Sequence, residues 1–170
     1  STDVYRIEPT TDEVGVEVCA PMKNVYAIAL GIADGLEEGT GFPHHNLKSA
    51  IFAQAVREMS IVSTELGARP ETAFGLAGVG DLEVTGLSGR NKVYGVRIGR
   101  GEGAIEALAA MEAAEQTVEG VPAAGLALTL VQQREGLLDR LPLLQAVTAI
   151  IAGAEDPAAL ATAAALPPRV

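Results

Sequence analysis

Apolar residues recur at helical spacing along most of the chain, and runs of strict alternation are scarce. The longest pattern predicts a helix from about Val14 to Leu36, with Thr11 or Asp12 as its cap and a Pro21 kink just before Lys23. A polar, Gly- and Pro-rich loop, "EEGTGFPHHN", follows it. Asn46 reads as the N-cap of a second helix reaching Leu66, with Gly67 just past its end. Pro70 suits the first turn of a short helix. Gly75 to Asn91 looks too glycine-rich for regular structure. Further helices are predicted from Asn91 to the "GRGEG" stop, over Ile105–Glu115, and from about Val121 to Arg134. Two more follow over Pro142–Ala152 and Pro157–Leu166. "VYRI", Val4 to Ile7, is the one short strand candidate. The expected fold class is all-α. A single helical domain over residues 13–170 follows a linker or strand over residues 1–12, with no internal repeat.

One element of this pattern is out of place. "APMKNVYAIALGIADG", Ala20 to Gly35, is apolar on nearly every face yet carries Lys23 and Asn24. A lysine is costly to bury alone, so a partner must compensate it or its stem must carry the charge to the surface. Lys23, Asn24 and Asp34 also break the longest apolar run, and no membrane span is expected.

The formal net charge of −10 argues against nucleic acid and anionic membranes as partners. Hydrophobic residues at 48% and charged residues at 20% describe a globular, soluble chain rather than a disordered one. The single cysteine, Cys19, lies among apolar neighbours and reads as a core thiol; with no recognisable signal peptide, a reducing, cytoplasmic compartment is expected. The chain opens on Ser, which suggests a piece of a longer protein. His44 and His45 lie in a loop without the Cys or carboxylate spacing of a metal site, and no metal is expected.

Against this acidic background, four of the twelve Lys and Arg residues (Arg90, Lys92, Arg97 and Arg100) crowd into Val84–Gly101, which has no acidic residue. From charge counting alone, a solvated basic helix face is the favoured reading. Arg90 and Asn91 nevertheless fall where a helix begins, and uncapped N–H groups beside a guanidinium make a phosphate clamp. Just upstream, "GVGDLE" imitates a dinucleotide fingerprint but has Glu83 at the third glycine position and no leading strand. Asp81 within it is a candidate counter-charge for Lys23.

Taken in order, "EVCAPMKNVYAIALGIADG", "HNLKSAIF", "GLAGVGDLEVTGLSGRN" and "QTVEGVPAA" resemble the C-terminal half of NAD(P)-dependent glycerol-3-phosphate dehydrogenases. The resemblance covers nearly the whole chain. It implies an all-helical substrate domain whose Rossmann partner domain, with the NAD or NADP site, lies outside these residues. "VYRI" would then be that domain's last strand or the link to it. By the same resemblance, Lys23 is the catalytic lysine, Asp81 its carboxylate partner, and Asn24 and Thr85 substrate contacts. Arg90 and Asn91 bind the substrate phosphate; Arg90 also lies near the cofactor, which Glu119 approaches. The implied reaction interconverts glycerol 3-phosphate and dihydroxyacetone phosphate, and the chain alone would be inactive. Pro21, a long loop from Glu37 to His45 and a short Thr85–Arg90 spacing depart from the commonest family pattern. Two alternatives stay open: the substrate domain of another two-domain hydroxy-acid dehydrogenase, and a non-catalytic helical module for phosphate binding or assembly. An unpaired N-terminal strand also leaves room for a homodimer.

Overall fold

The computed structural model describes residues 1–160, and these contain helices and turns but no strand. The order is α1 (Glu13–Thr40), α2 (His45–Glu65), α3 (Pro70–Phe74), a π turn (Leu76–Gly80), α4 (Asp81–Leu87), α5 (Arg90–Gly99), α6 (Ala104–Ala113), α7 (Gly120–Gln132) and α8 (Pro142–Ile151). Single 3-10 turns cover Leu138–Arg140 and Pro157–Ala159. Beyond residue 160 the predicted Pro157–Leu166 helix lies outside the described residues.

α1 is the axis of the fold, and α2, α4, α5, α7 and α8 pack around it. From Val25 to Ala33 every residue is buried, which explains a sequence apolar on all sides. Tyr26, Ile28 and Ile32 are wholly buried, and each isoleucine contributes about 1.5–3 kcal/mol by removal from water. Among the described residues α1 is also the one helix long and apolar enough to cross a membrane, with 61% of its apolar window buried inside the domain.

α1 and α5 run side by side in the same direction, and glycines make the contact. A Cβ on Gly31 would lie 3.1 Å from the Gly95 Cα, and one on Gly35 would lie 2.9 Å from the Gly99 Cα. Reciprocal atoms on Gly95 and Gly99 would strike the Ile28 and Ile32 carbonyls. The two backbones thus touch over two successive four-residue steps. This contact fixes which residue at the start of α5 stands beside which residue of α1.

Asp12 caps α1 as expected, accepting from the Gly15 N–H at 3.4 Å. The same buried carboxylate accepts from the Thr72 hydroxyl at 2.5 Å and the Arg69 N–H at 3.1 Å, tying α3 to the start of α1. The Thr72 hydrogen bond holds the Asp12 carboxyl below its usual range; burial opposes this, and the Arg69 and Gly15 N–H groups reinforce it. Glu58 plays the corresponding part at α8. It is fully buried and accepts from the Leu143 N–H (2.7 Å), the Leu144 N–H (2.9 Å), the Tyr26 hydroxyl (2.9 Å) and Gln54 (2.9 Å). Burial pushes the Glu58 carboxyl up and the Tyr26 hydroxyl well up. Cys19 is buried beside Ser63, the core thiol its neighbours suggest, and burial raises it too.

Several expectations need correction. Val4, Tyr5 and Ile7 form no strand and are 96%, 66% and 60% exposed, because no described segment pairs with their backbone. Gly75–Asn91 is largely ordered. The Gly80 N–H reaches the Gly75 carbonyl at 3.2 Å in the π turn, which continues directly into α4. Gly78 is required there because any side chain would collide with the Ala73 backbone. α1 continues through Pro21 and ends at Thr40, where Gly41 (φ +67°) sends its N–H to the Glu37 carbonyl at 2.9 Å. α2 starts at His45 without a side-chain cap, so Asn46 lies inside its first turn. Gly67 (φ +86°) and the first-turn prolines of α3 and α8 agree with the sequence reading.

Gly95→Ala is expected to destabilise the domain by about 1–3 kcal/mol through forced separation of α1 and α5. Urea unfolding measures it, and an unchanged midpoint would refute the contact. Because the folded Asp12 carboxyl is held below its unfolded value of about 3.9, its contribution is complete above that pH and is lost as pH falls through the folded value. The stability gap between wild type and Asp12→Asn should therefore hold steady above about pH 4 and narrow as the pH falls below it. A gap independent of pH would show that the charge of Asp12 adds nothing.

Candidate active site

Lys23 projects from α1 two residues after Pro21 and meets Asp81, the first residue of α4, with Nζ 2.5 Å from Oδ2. The lysine side chain is 19% exposed and the aspartate 41%, so the pair is half open on its carboxylate side. A salt bridge this exposed adds little stability, but it fixes where the ammonium sits. One turn on, the Thr85 hydroxyl donates to the Asp81 carbonyl at 2.6 Å. Its lone pairs remain available as acceptors.

Asn24, the neighbour of Lys23, faces α5. The Asn91 amide donates through Nδ2 to Asn24 Oδ1 at 3.0 Å, and the Gly120 N–H donates to Asn91 Oδ1 at 2.8 Å. Asn91 is buried, and its bonds tie the starts of α5 and α7 to α1. Gly120 permits this closeness, since a Cβ there would lie 2.6 Å from the Asn24 carbonyl.

Arg90 opens α5 after Gly89, whose φ of +116° demands glycine, and no side chain caps the helix. The guanidinium stands 3.5 Å from Glu119 Oε1, and both side chains are more than half exposed. The structure thus brings Lys23, Asp81 and Thr85 together, and Asn24, Asn91, Arg90 and Glu119 together. Lys23 and Asn24 are adjacent on α1 and join the two groups. Of two grooves, one of about 440 Å3 is lined by residues including His45, Lys48, Phe52 and Leu87, and the other, of about 340 Å3, has Glu119 in its lining beside Pro21, Met22, Ala123 and Leu126.

The remaining charges have structural partners. Lys48 and Lys92 both contact Asp34, at 2.8 and 2.9 Å, bridging α2 and α5 to α1. Burial raises the Asp34 carboxyl and the two ammonium groups more than offset it, leaving it lowered. Arg97 pairs with Glu102 and Arg100 with Glu38. So of the crowded cations, only Arg90 stands at the uncapped helix start. Exposed His45 lies 3.5 Å from Glu37, and among the described residues no three His, Cys, Asp or Glu side chains gather. Sequence reading missed Glu58 and Asp34. The signal for Glu58 was the one that flagged Lys23, a charge inside an apolar helical run.

A family model described as "NAD-dependent glycerol-3-phosphate dehydrogenase C-terminus" matches residues 12–162. The chain belongs to this family. The Arabidopsis thaliana chloroplastic glycerol-3-phosphate dehydrogenase [NAD(+)] 2 is 40% identical over 89% of the chain and 34% of its own length. The Synechococcus glycerol-3-phosphate dehydrogenase [NAD(P)+] is 34% identical over 93% of the chain and 50% of its own length. The crystal structure of glycerol-3-phosphate dehydrogenase from Coxiella burnetii superposes with a TM-score of 0.78 at 31% identity, over 95% of the chain and 47% of that protein. The Saccharomyces cerevisiae glycerol-3-phosphate dehydrogenase shares the fold, with a TM-score of 0.80 at 24% identity. The chain therefore spans about a third to a half of the length of these curated relatives. As a glycerol-3-phosphate dehydrogenase C-terminal domain, it has the all-helical architecture of the solved structures, and relatives of this domain occur in enzymes named for NAD(+) and for NAD(P)+.

Proposed function

We propose that this chain is the substrate-binding and catalytic half of a glycerol-3-phosphate dehydrogenase, interconverting sn-glycerol 3-phosphate and dihydroxyacetone phosphate. The observation that carries this reading is the contact between Lys23 and Asp81, set next to the Asn24–Asn91 bridge that leads to Arg90 and the uncapped start of α5. An ammonium, a carboxylate and a guanidinium from three distant stretches of the chain then serve one small, phosphorylated ligand.

The nicotinamide, NAD or NADP, supplies or accepts hydride at the substrate carbon. Its main binding site is assigned to a Rossmann domain that precedes this one in the whole protein. The described residues fit only an edge contribution to it, since "GVGDLE" forms a π turn and helix start instead of a strand–turn–helix fingerprint. Arg90 and Glu119 are assigned that contribution.

In the reductive direction, negative charge grows on the carbonyl oxygen of dihydroxyacetone phosphate. Lys23 stabilises that charge and donates the proton from Nζ, becoming a neutral amine until it is reprotonated. Asp81 holds Nζ in place. Thr85 and Asn24 orient the substrate's oxygens. Arg90 takes the phosphate through its guanidinium, and backbone N–H groups at Arg90 and Asn91 complete the clamp. Glu119, 3.5 Å from the guanidinium, is the contact that a phosphate would displace. A reducing compartment such as the cytoplasm suits the buried Cys19 thiol.

In the whole enzyme, assayed with NADH and with NADPH, Lys23→Ala should lower kcat by about 100- to 10,000-fold, the usual worth of a positioned proton donor. Near-normal turnover would remove Lys23 from the chemistry. Arg90→Ala should chiefly raise the KM for dihydroxyacetone phosphate, by about tenfold or more for a lost charge-assisted contact. An unchanged KM would dismiss the clamp. The present chain alone should show no measurable turnover.

A further inference from the structure

The polarity of the Asn24–Asn91 bridge is not free. A side-chain amide can present either its oxygen or its NH2 to a neighbour, and its partners decide which. The Gly120 backbone N–H can only donate, so Asn91 must turn Oδ1 towards it, at 2.8 Å. That choice leaves Asn91 Nδ2 facing Asn24, which must answer with Oδ1, at 3.0 Å. Asn24 Nδ2 is thereby turned away from α5. Among the described residues its one partner is the Ala20 carbonyl in its own helix, at a long 3.4 Å. Asn91 is buried and both ends of its amide are engaged inside the protein, whereas Asn24 is half-buried with an N–H to spare.

We propose that Asn91 is a positioning residue that locks the orientation of Asn24, so that the surface beside Lys23 offers an N–H donor and selects a ligand with an oxygen acceptor at that point. This deepens the dehydrogenase reading and rests on it. The side chain of Asn91 then acts on substrate only through Asn24, while its backbone N–H remains with the phosphate clamp. The lock also explains why α7 must begin against α1. Without the Gly120 N–H as a fixed donor, the two amides could flip together and present an acceptor to the ligand.

The test is a double-mutant cycle on kcat/KM for dihydroxyacetone phosphate in the whole enzyme. Asn91→Leu, close in size and uncharged, frees Asn24 to flip, and Asn24→Ala removes the donor outright. Each should cost about tenfold or more, the worth of a hydrogen bond to substrate. The double variant should be no worse than Asn24→Ala, because the two act through one group. Multiplying losses would mean that the Asn91 side chain touches substrate itself or acts generally on the fold, and would overturn the proposal. Asn24→Asp keeps the acceptor that Asn91 needs but replaces the outward N–H with oxygen; full activity in it would also overturn the proposal. Should Asn91→Leu fail to fold, hydrogen exchange in the wild-type enzyme decides. The Asn91 side-chain NH2 should be protected with or without ligand, and that of Asn24 only when dihydroxyacetone phosphate is bound. The reverse pattern would refute the lock. Lys23→Ala is the control: if it retains turnover the dehydrogenase reading fails, and if it is inactive while the cycle is additive only the lock fails.

Discussion

Two helices can touch backbone to backbone only where neither carries a side chain at the crossing. α1 and α5 meet that condition twice, at Gly31 with Gly95 and at Gly35 with Gly99. The contact has no adjustable parts, since a methyl group on any of these residues would meet backbone atoms. Its register therefore passes unaltered to the helix starts. Asn91 arrives opposite Asn24, and Arg90 comes to the same face. Lys92 reaches Asp34 deeper along α1, and Lys48 of α2 reaches the same carboxylate. The polar groups of the site are thus placed by the least polar contact in the molecule.

Buried carboxylates do a second kind of positioning. Asp12 and Glu58 each gather backbone N–H groups from a helix start that would otherwise lack partners. Asp12 joins α3 to α1, and Glu58 joins α8 to α1 and α2. Burying a carboxylate is costly unless hydrogen bonds replace its water, and Glu58 has four such bonds. Neither carboxylate bonds to the lysine pair, whose own charges stay partly exposed.

Much of this was legible in the sequence because helix periodicity, proline at first turns and glycine past helix ends are local signals. The order of helices and a cap at Thr11 or Asp12 followed from them, and the structure uses Asp12. Lys23 and Asp81 were legible as a misplaced charge and a candidate counter-charge, although 58 residues separate them. What escaped was set by other tertiary contacts. "VYRI" has strand-forming residues, but strand formation is decided by a partner that the described chain lacks. In Gly75–Asn91 the glycines suggest an irregular backbone, whereas Gly78 and Gly86 are there to let other atoms come close. Glu58 was passed over because the donors that satisfy it lie 85 and 86 residues away.

The π turn before α4 sets a rotational phase. It takes up one residue more than an α turn would between Gly75 and Gly80, and α4 follows without a break. Since each residue advances a helix by about 100°, that surplus residue determines which way Asp81 faces when the chain reaches α1. A one-residue deletion here would spare every side chain of the site and still swing the carboxylate a quarter turn from its lysine. The spacing of this glycine-rich stretch is thus itself a part of the machinery, as intolerant of length change as the ion pair is of substitution.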